Sequence, residues 1–332
     1  MSENNIISTT LKSENNNFPS KKQRLDNILS FPSLMGFGTF MVENPEVIIN
    51  ALKTGYRHLD LAENYKNLAN VKSALEKTFS SVQDGGLGLS RDIIWLTMKV
   101  AKLNDTTDHV DSLLNAVGTT YFDLLLYHYP FEIFDTENDA EHSWRLFCDL
   151  PTSKVRQIGV SNFYVPHMLR LLDICQLKSL RKPFANEILI NPYTFGGDVD
   201  IIQLCKENEV LLMAYSPLGF YYSSILLEDE RIVSFSEKFD ITPAQIILTW
   251  LMSKNICVIP KTNDPIRQSE NYQSLEILGQ IDVDFKEEIR ISLDSCKNDD
   301  EFFMIDTALN SKTHGCSLLW KVDNHAIPPY NG

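Results

Sequence analysis

From Leu34 onward, the sequence alternates between short runs of strand length and longer stretches with helical periodicity. The apolar or β-branched runs are centred on Leu34–Gly38, Tyr56–Asp60, Ile93–Lys99, Tyr121–Tyr127, Val155–Val160, Phe184–Ile188, Val210–Ala214 and Cys257–Ile259. A strand followed by a helix, repeated many times, is typical of βα units with parallel strands. Because no linker-like break interrupts residues 34–275, we predict an α/β fold, a closed (β/α)8 TIM barrel, in preference to two domains.

Capping signals support the helices of this pattern. Asn44-Pro45 and Thr242-Pro243 each place a capping residue before a proline at the first helical position. The helices that they start are expected to stop at Gly55 and near Ser253. Further helices are predicted over Asn67–Thr78, Asp108–Val117, Ala140–Leu150, Pro166–Ser179 and Asp198–Asn208, and Phe195-Gly-Gly-Asp198 is interpreted as a turn with a helix cap.

A Rossmann sheet is the main competing architecture, and its phosphate-binding loop needs three glycines at fixed spacing. Gly36-Phe-Gly38 has Met41 where the third glycine belongs, and Gly86-Leu-Gly88 has Arg91 there. Both stretches are therefore interpreted as turns.

Composition bounds the partners and the compartment. The chain carries 44 acidic and 30 basic residues, a formal net charge of −14, which disfavours nucleic acid and anionic membrane surfaces as partners. The six cysteines include no Cys-x-x-Cys pair, so we expect reduced thiols and no metal site. The polar N-terminal sequence does not resemble a signal peptide and no apolar run approaches twenty residues, which together predict a cytoplasmic protein.

The two ends of the chain differ from its centre. Residues 1–28 are polar and asparagine-rich without hydrophobic periodicity, so we predict a flexible N-terminal arm followed by one barrel domain over residues 29–332. The tail at 302–332 contains Phe302, Phe303, Trp320 and Tyr330. It either folds over the mouth of the barrel or packs against the outer wall.

Polar side chains close nearly every predicted strand, which is where barrel enzymes place their catalytic groups. Asp60, Lys99 and His128 end three of the strands, and Tyr65 follows the first of these. A phenol with a pKa near 10 is a poor acid at neutral pH unless a cation stabilises the phenolate, and Lys99 could supply that charge. Asp60 would keep the lysine protonated, and His128 could position a substrate oxygen.

At these residues the sequence resembles the aldo-keto reductase superfamily, over about residues 34–278. Gly36-Phe-Gly-Thr39, Gly55-Tyr-Arg-His-Leu-Asp60-Leu-Ala-Glu-Asn-Tyr65 and Leu124-Leu-Leu-Tyr-His128-Tyr-Pro130 are similar to segments of that family. The resemblance implies a catalytic tetrad of Asp60, Tyr65, Lys99 and His128, with Tyr65 as the general acid for carbonyl reduction. It also implies a monomer that acts on a small carbonyl compound.

The same resemblance implies a cofactor site for NADP(H). Ser161 and Asn162 would bind the nicotinamide carboxamide together with Glu187, and Tyr215, in the segment Tyr215-Ser216-Pro-Leu218, would stack on the nicotinamide ring. The segment for the adenosine phosphate would contain Lys261, Thr262, Arg267, Glu270 and Asn271. Lys261 and Arg267 would hold a 2′-phosphate, which favours NADPH over NADH.

The chain departs from the family at several positions. Glu187 stands where glutamine is usual, and an ionised carboxylate there would favour the positively charged oxidised nicotinamide. Leu61, Leu68 and Met98 are further departures that we expect to alter packing only. By the resemblance, Phe40, Ala101 and Tyr129 would line the substrate pocket, with Ala101 standing where many members carry tryptophan.

These observations predict an NADP(H)-dependent oxidoreductase that reduces an aldehyde or ketone to an alcohol without a metal. Two alternatives stay open. One is a nicotinamide-binding sensor with little turnover, and the other is an alcohol or sugar dehydrogenase that runs in the oxidative direction.

Overall fold

Eight parallel strands form the sheet of the computed structural model, which describes residues 33–280 except 102, 104–106 and 134–136. In chain order they are β1 (Phe37–Gly38), β2 (His58–Ala62), β3 (Trp95–Val100), β4 (Phe122–Tyr127), β5 (Val155–Ser161), β6 (Ala185–Leu189), β7 (Leu211–Tyr215) and β8 (Cys257–Ile259). Each strand pairs with the next one along the chain. A parallel bridge between Met35 and Val258 joins the last strand to the first, so the predicted (β/α)8 barrel is confirmed.

Helices connect the strands on the outside of the barrel. They are α1 (Pro45–Thr54), α2 (Leu68–Phe79), α3 (Asp108–Val117), α4 (Glu137–Asp149), α5 (Val165–Leu177), α6 (Pro192–Phe195), α7 (Val199–Glu207), α8 (Ser223–Leu227), α9 (Glu230–Phe239), α10 (Pro243–Ser253) and α11 (Pro265–Gln280). Short 3-10 helices span Glu63–Tyr65, Val82–Asp84, Arg91–Ile93, Pro130–Glu132 and Phe220–Tyr222.

The capping signals in the sequence act as expected. The Asn44 side chain accepts a hydrogen bond from the backbone N–H of Glu46. Thr242 and Gln245 form a reciprocal capping box at the start of α10, which satisfies two backbone donors that the helix leaves open.

Helices α6, α8, α9 and α11 were not predicted. Most predicted strand bounds differ from the observed ones by one or two residues, because pairing with neighbours sets where a strand ends.

Two apolar layers hold the barrel together. The larger lies between the strands and the helices, and a smaller one fills the barrel interior with Leu124, Leu126, Met213, Cys257 and Ile259 among others. Since side chains alternate across a strand, the interior residues of each strand recur at every second position. The same alternation brings Asp60, Lys99 and Glu187 to the interior near the C-terminal ends of their strands, where the candidate site lies.

A glycine allows two of these strands to approach closely. A Cβ atom added to Gly159 in β5 would lie 2.5 Å from the backbone oxygen of Ala185 in β6, closer than any real contact. Glycine here therefore permits the β5–β6 pairing in which Ser161 lies beside Glu187.

The arm predicted over residues 1–28 and the tail at 302–332 lie outside the described residues, and so do Cys296 and Cys316. In the described part, Cys148, Cys175, Cys205 and Cys257 are free thiols. No helix there is both long and apolar enough to cross a lipid bilayer.

Candidate active site

Four inward-facing side chains from different strands meet at the C-terminal end of the barrel. Asp60 comes from β2, Lys99 from β3 and Glu187 from β6, while His128 directly follows β4. All four are buried. The sequence predicted that these strand ends converge, and the closed barrel brings them together because parallel strands present their carboxyl ends on one face.

Lys99 is the centre of the buried charges. Its Nζ donates to both carboxylate oxygens of Asp60 at 2.6 Å and to Oε1 of Glu187 at 2.8 Å. Burial alone would lower the pKa of Lys99, but the two carboxylates outweigh it and hold that pKa well above its ordinary value. Lys99 is therefore an ammonium ion in this site.

The pKa of Glu187 is subject to opposing effects of burial and of the neighbouring charges. Burial and the neighbouring Asp60 carboxylate raise the pKa of Glu187 to about 8, although Lys99 acts in the opposite direction. Its second oxygen, Oε2, is buried without a hydrogen-bond partner. The carboxyl group thus has an unused polar atom within the site.

Tyr65 sits at the end of the 3-10 helix that follows β2. Lys99 Nζ lies 5.4 Å from the centroid of its ring, and the ring of His128 meets it edge-on at a centroid distance of 6.1 Å. Burial raises the pKa of Tyr65 above its usual value, and this outweighs the opposing effect of Lys99. Lys99 thus acts on the Tyr65 phenol in the direction that the sequence predicted, but burial is the larger effect and Tyr65 stays a neutral phenol.

The loop that carries Tyr65 is held by side-chain hydrogen bonds. Asn67 Nδ2 donates to the backbone oxygens of Thr39 at 2.7 Å and Val42 at 3.1 Å. Thr39 Oγ1 in turn donates to the backbone oxygen of Asp60 at 2.7 Å. These bonds tie the loop after β2 to the loop after β1, and so fix the position of Tyr65 above the barrel.

His128 is neutral in this environment. Burial lowers its pKa to about 3, and the positive charge of Lys99 acts in the same direction. A neutral imidazole can donate or accept a hydrogen bond without carrying charge. Its ring stacks on that of Tyr129 at a centroid distance of 4.4 Å, which fixes the ring plane.

Polar groups after β5 and β7 form the neighbouring wall. The Tyr215 hydroxyl donates to Asn162 Oδ1 at 2.8 Å, and Asn162 Nδ2 donates to the backbone oxygen of His128 at 2.9 Å. Ser161 Oγ donates to the backbone oxygen of Glu187 at 2.8 Å. Asn162 and Ser216 both have positive φ, 63° and 48°, a conformation that clusters at functional sites.

A cationic region lies at the start of α11. Asp264 caps this helix by accepting from the backbone N–H of Ile266 at 2.8 Å. Lys261 and Arg267 are exposed beside it, and Arg267 meets Asp264 through a long contact of 3.4 Å. Glu270 accepts from Thr242 Oγ1 at 2.7 Å, which ties α11 to α10. Asp264 occupies the first backbone N–H groups of the helix, so the charges of Lys261 and Arg267 are what favours an anion here.

One cavity of about 940 Å³ connects these parts. Of the predicted site residues, all but Ala101 line it: Asp60, Tyr65, Lys99, His128, Ser161, Asn162, Glu187, Tyr215, Ser216, Leu218, Lys261, Thr262, Arg267, Glu270, Asn271, Phe40 and Tyr129. Ala101 is exposed just after β3 and lies outside this lining in the described part of the chain. The cavity thus extends from the buried lysine to the cationic region at α11.

The rim of the cavity includes aromatic rings that were not predicted from the sequence. Phe40 contacts Tyr65 at a centroid distance of 5.0 Å and Phe220 at 6.0 Å, and Phe220 packs against Tyr221 at 4.0 Å. Phe220 and Tyr221 belong to an aromatic run that directly follows the Tyr215–Leu218 segment. That run is the signal that could have identified them.

No group of three or more His, Cys, Asp or Glu side chains within the described ranges is arranged to hold a metal ion. The polar centre of the cavity is instead built from one ammonium, two carboxyl groups, a phenol and an imidazole. Such a set can hold and move protons at a bound substrate oxygen.

Comparison with known proteins shows what the chain is similar to. The chain is 29% identical over 275 residues to the D/L-glyceraldehyde reductase of Hypocrea jecorina, a match that covers 73% of this chain and 80% of that protein. It is 32% identical over 244 residues to an NADPH-dependent alpha-keto amide reductase of Saccharomyces cerevisiae, with 70% and 74% covered.

Solved structures give the same result. An aldo/keto reductase from Brucella melitensis matches with a TM-score of 0.64 and 30% identity, over 78% of this chain and 94% of that one. An aldose reductase from Giardia lamblia matches with a TM-score of 0.65 and 27% identity, over 78% and 92%. The model of the Aldo/keto reductase family matches residues 35–292. The chain belongs to the aldo/keto reductase family.

Proposed function

We propose that this protein is an NADP(H)-dependent oxidoreductase that reduces the carbonyl group of a small aldehyde or ketone to an alcohol, with Tyr65 as the general acid. The observation that carries the proposal is the meeting of Tyr65, His128 and the Lys99–Asp60 pair at one end of a single large cavity. Proton donors aimed at one point can bind a carbonyl oxygen and protonate it as negative charge develops there.

Each residue of this set has a distinct part. Tyr65 is a neutral phenol and so carries the proton that the product alcohol needs. His128 is a neutral imidazole that can donate a hydrogen bond to the substrate oxygen without competing as an acid. Lys99 stabilises the phenolate that forms when Tyr65 gives up its proton, and Asp60 keeps Lys99 charged and oriented.

The residues beside this set fit a nicotinamide cofactor. Glu187 Oε2 is a buried polar atom without a partner in the cavity, which suits a carboxamide: it can donate to the carboxamide oxygen when protonated and accept from the amide nitrogen when ionised. Asn162 and Ser161 lie beside it, and the ring of Tyr215 lines the same wall. A reduced nicotinamide bound there would supply the hydride for the carbonyl carbon.

NADPH is favoured over NADH because two cations lie at the far end of the cavity. Lys261 and Arg267 stand at the start of α11 and line the cavity, and their charges favour an anion. A 2′-phosphate would bring charge to this point that NADH lacks. Among the relatives, one is described as an NADPH-dependent reductase and another as a glycerol 2-dehydrogenase that uses NADP(+).

The proposal is tested by incubating the purified protein with NADPH or NADH and a panel of aldehydes, ketones and sugars, and in parallel with NADP+ and a panel of alcohols and sugars, while the absorbance of the reduced cofactor is followed. Reduction of at least one carbonyl compound, faster with NADPH, is the expected result. Cofactor binding without turnover of any panel member would support the sensor instead. Turnover only of alcohols or sugars with NADP+ would support a dehydrogenase.

The sequence-based expectations of a monomer and of a cytoplasmic location belong to the same proposal. Size-exclusion chromatography with light scattering tests the first, and imaging of the tagged full chain in its own cell tests the second. A stable dimer or a membrane-bound pool would contradict them.

A further inference from the structure

Lys99 is shared between two carboxyl groups. Nζ of Lys99 meets both oxygens of Asp60 and one oxygen of Glu187, and its positive charge also acts on the Tyr65 phenol. Glu187 and Tyr65 therefore draw on the same ammonium ion. A neutral side chain at position 187 could accept the same hydrogen bond from Lys99. It would not attract Lys99 with a full negative charge, as the carboxylate of Glu187 does.

The charges of this cluster do not balance when every group is ionised. Two carboxylates and one ammonium leave a net charge of −1, and Asp60, Lys99 and Glu187 are at most 3% exposed. An uncompensated charge in such a place is costly unless the group binds a proton. Glu187 is the group that binds it, because its Oε2 has no partner whereas both oxygens of Asp60 accept from Lys99.

Other titratable groups surround Glu187 and do not offer a second cation. Cys257 approaches from β8, and burial and the two carboxylates hold the pKa of its thiol well above the ordinary value. Burial keeps His58 and His128 neutral at physiological pH, with Lys99 acting in the same direction. Asp60 of β2 and Lys99 of β3 act directly on Glu187, and the charge of Glu187 in turn raises the pKa values of Tyr65 and of Cys257 in β8. His128 lines the same cavity, and His58 of β2 meets Cys257.

We propose that Glu187 is a positioning residue that sets the charge of the site: it shares Lys99 with Asp60, and its gain or loss of one proton makes the preference between oxidised and reduced nicotinamide depend on pH. This rests on the proposed cofactor site. When Glu187 is protonated, the cluster is neutral and a neutral reduced ring meets no excess charge. When it is ionised, the extra negative charge attracts the positively charged oxidised ring.

The size of the effect follows from linkage. A unit charge within about 4–6 Å shifts a carboxyl pKa by about one to three units. By the same linkage, the ratio of the dissociation constants for NADPH and NADP+ should rise about tenfold or more as Glu187 ionises. Titration of the 2′-phosphate is common to both cofactors and cancels in this ratio.

Calorimetric titration of both cofactors into the full chain, from about pH 6 to about pH 9.5, tests the proposal. In wild type we expect the ratio to rise about tenfold or more. Glu187→Gln should give a ratio that stays constant within about twofold over the same range. The control Glu76→Gln removes a carboxylate from the exposed face of α2 and should behave as wild type.

A second measurement does not depend on the folding of the variant. Titrations in buffers of different ionisation enthalpy give the protons released on binding, and wild type near pH 8 should release more protons with NADP+ than with NADPH. Equal release, or a ratio in wild type that does not change with pH, overturns the proposal while leaving the cofactor site intact. A Glu187→Gln protein that keeps the wild-type slope overturns it as well. Failure of both cofactors to bind instead refutes the proposed function, and this inference with it.

Discussion

Among the described residues, Lys99 is the only ammonium that contacts two buried carboxyl groups, and Lys99→Met removes it. The distances in the site allow the resulting loss in the free energy of unfolding to be estimated. Asp60 and Glu187 bond the same nitrogen at 2.6 and 2.8 Å, so their charges lie on the order of 5 Å apart. At that separation, with an effective dielectric constant of 20, two like charges repel by about 3 kcal/mol. Loss of one partner from a buried ion pair usually costs about 3–5 kcal/mol. We therefore expect Lys99→Met to lower the free energy of unfolding by about 3–5 kcal/mol at pH 8.

The deficit should shrink as the pH falls, because both carboxyl groups gain protons more readily without Lys99. Neutralising both of them in the same chain, with Asp60→Asn and Glu187→Gln, should restore most of the lost stability, since methionine and two amides leave no buried charge. Urea unfolding followed by circular dichroism measures each variant. A cost below about 1 kcal/mol for Lys99→Met, or a triple variant no more stable than the single one, would refute this electrostatic reasoning.

Three further predictions concern stability and cofactor choice. Because the folded pKa of Glu187 is about 8 and its ordinary value is 4.5, the folded chain keeps a proton that the unfolded chain releases between these values. The stability of wild type relative to Glu187→Gln should thus fall as the pH rises from about 4.5 to about 8 and become constant above 8, with a slope of at most about 1.4 kcal/mol per pH unit in urea unfolding; a constant difference over that window would contradict this. Arg267→Ala should weaken NADPH binding about tenfold while NADH binding stays within twofold, and an equal loss for both would contradict a 2′-phosphate contact. Gly159→Ala should cost about 1–3 kcal/mol in thermal unfolding, because its Cβ would overlap Ala185, whereas Gly279→Ala, with open space around it, should not destabilise the chain; equal effects would refute the packing argument.

The alternation of strands and helices was enough to predict the barrel, since eight βα units have few other ways to bury their apolar faces. Helices α8 and α9 after β7 and helix α11 after β8 were missed, whereas α10 was predicted from its cap. α8 and α9 lie in the connection after β7, which adds elements to the simple repeat, and α11 begins among residues that the sequence marked as a phosphate segment. Helix bounds with strong caps, such as Asn44 and Thr242, were predicted more closely than strand bounds.

Within the site, strand-end polarity identified residues that line one cavity, but it did not show which contacts they make. Glu187 was expected to face a carboxamide, and the structure shows Oε1 on Lys99 with Oε2 left over. The polarity of neighbouring Asn186 was equally visible, yet its side chain donates to the Phe163 backbone oxygen, away from the cavity lining. The two-residue alternation of a strand places Asn186 and Glu187 on opposite faces, whereas the sharing of Lys99 between Asp60 and Glu187 depends on distances that no sequence pattern contains.

The central claim is that Tyr65 supplies the proton for carbonyl reduction in this cavity. It is tested most directly by mixing the NADPH-loaded enzyme with its best aldehyde and following a single turnover in wild type and in Tyr65→Phe. Loss of a positioned general acid should slow the reaction by about 10²- to 10⁴-fold, while the dissociation constant for NADPH stays within a few-fold. A Tyr65→Phe enzyme that reduces the aldehyde at the wild-type rate would contradict the assignment.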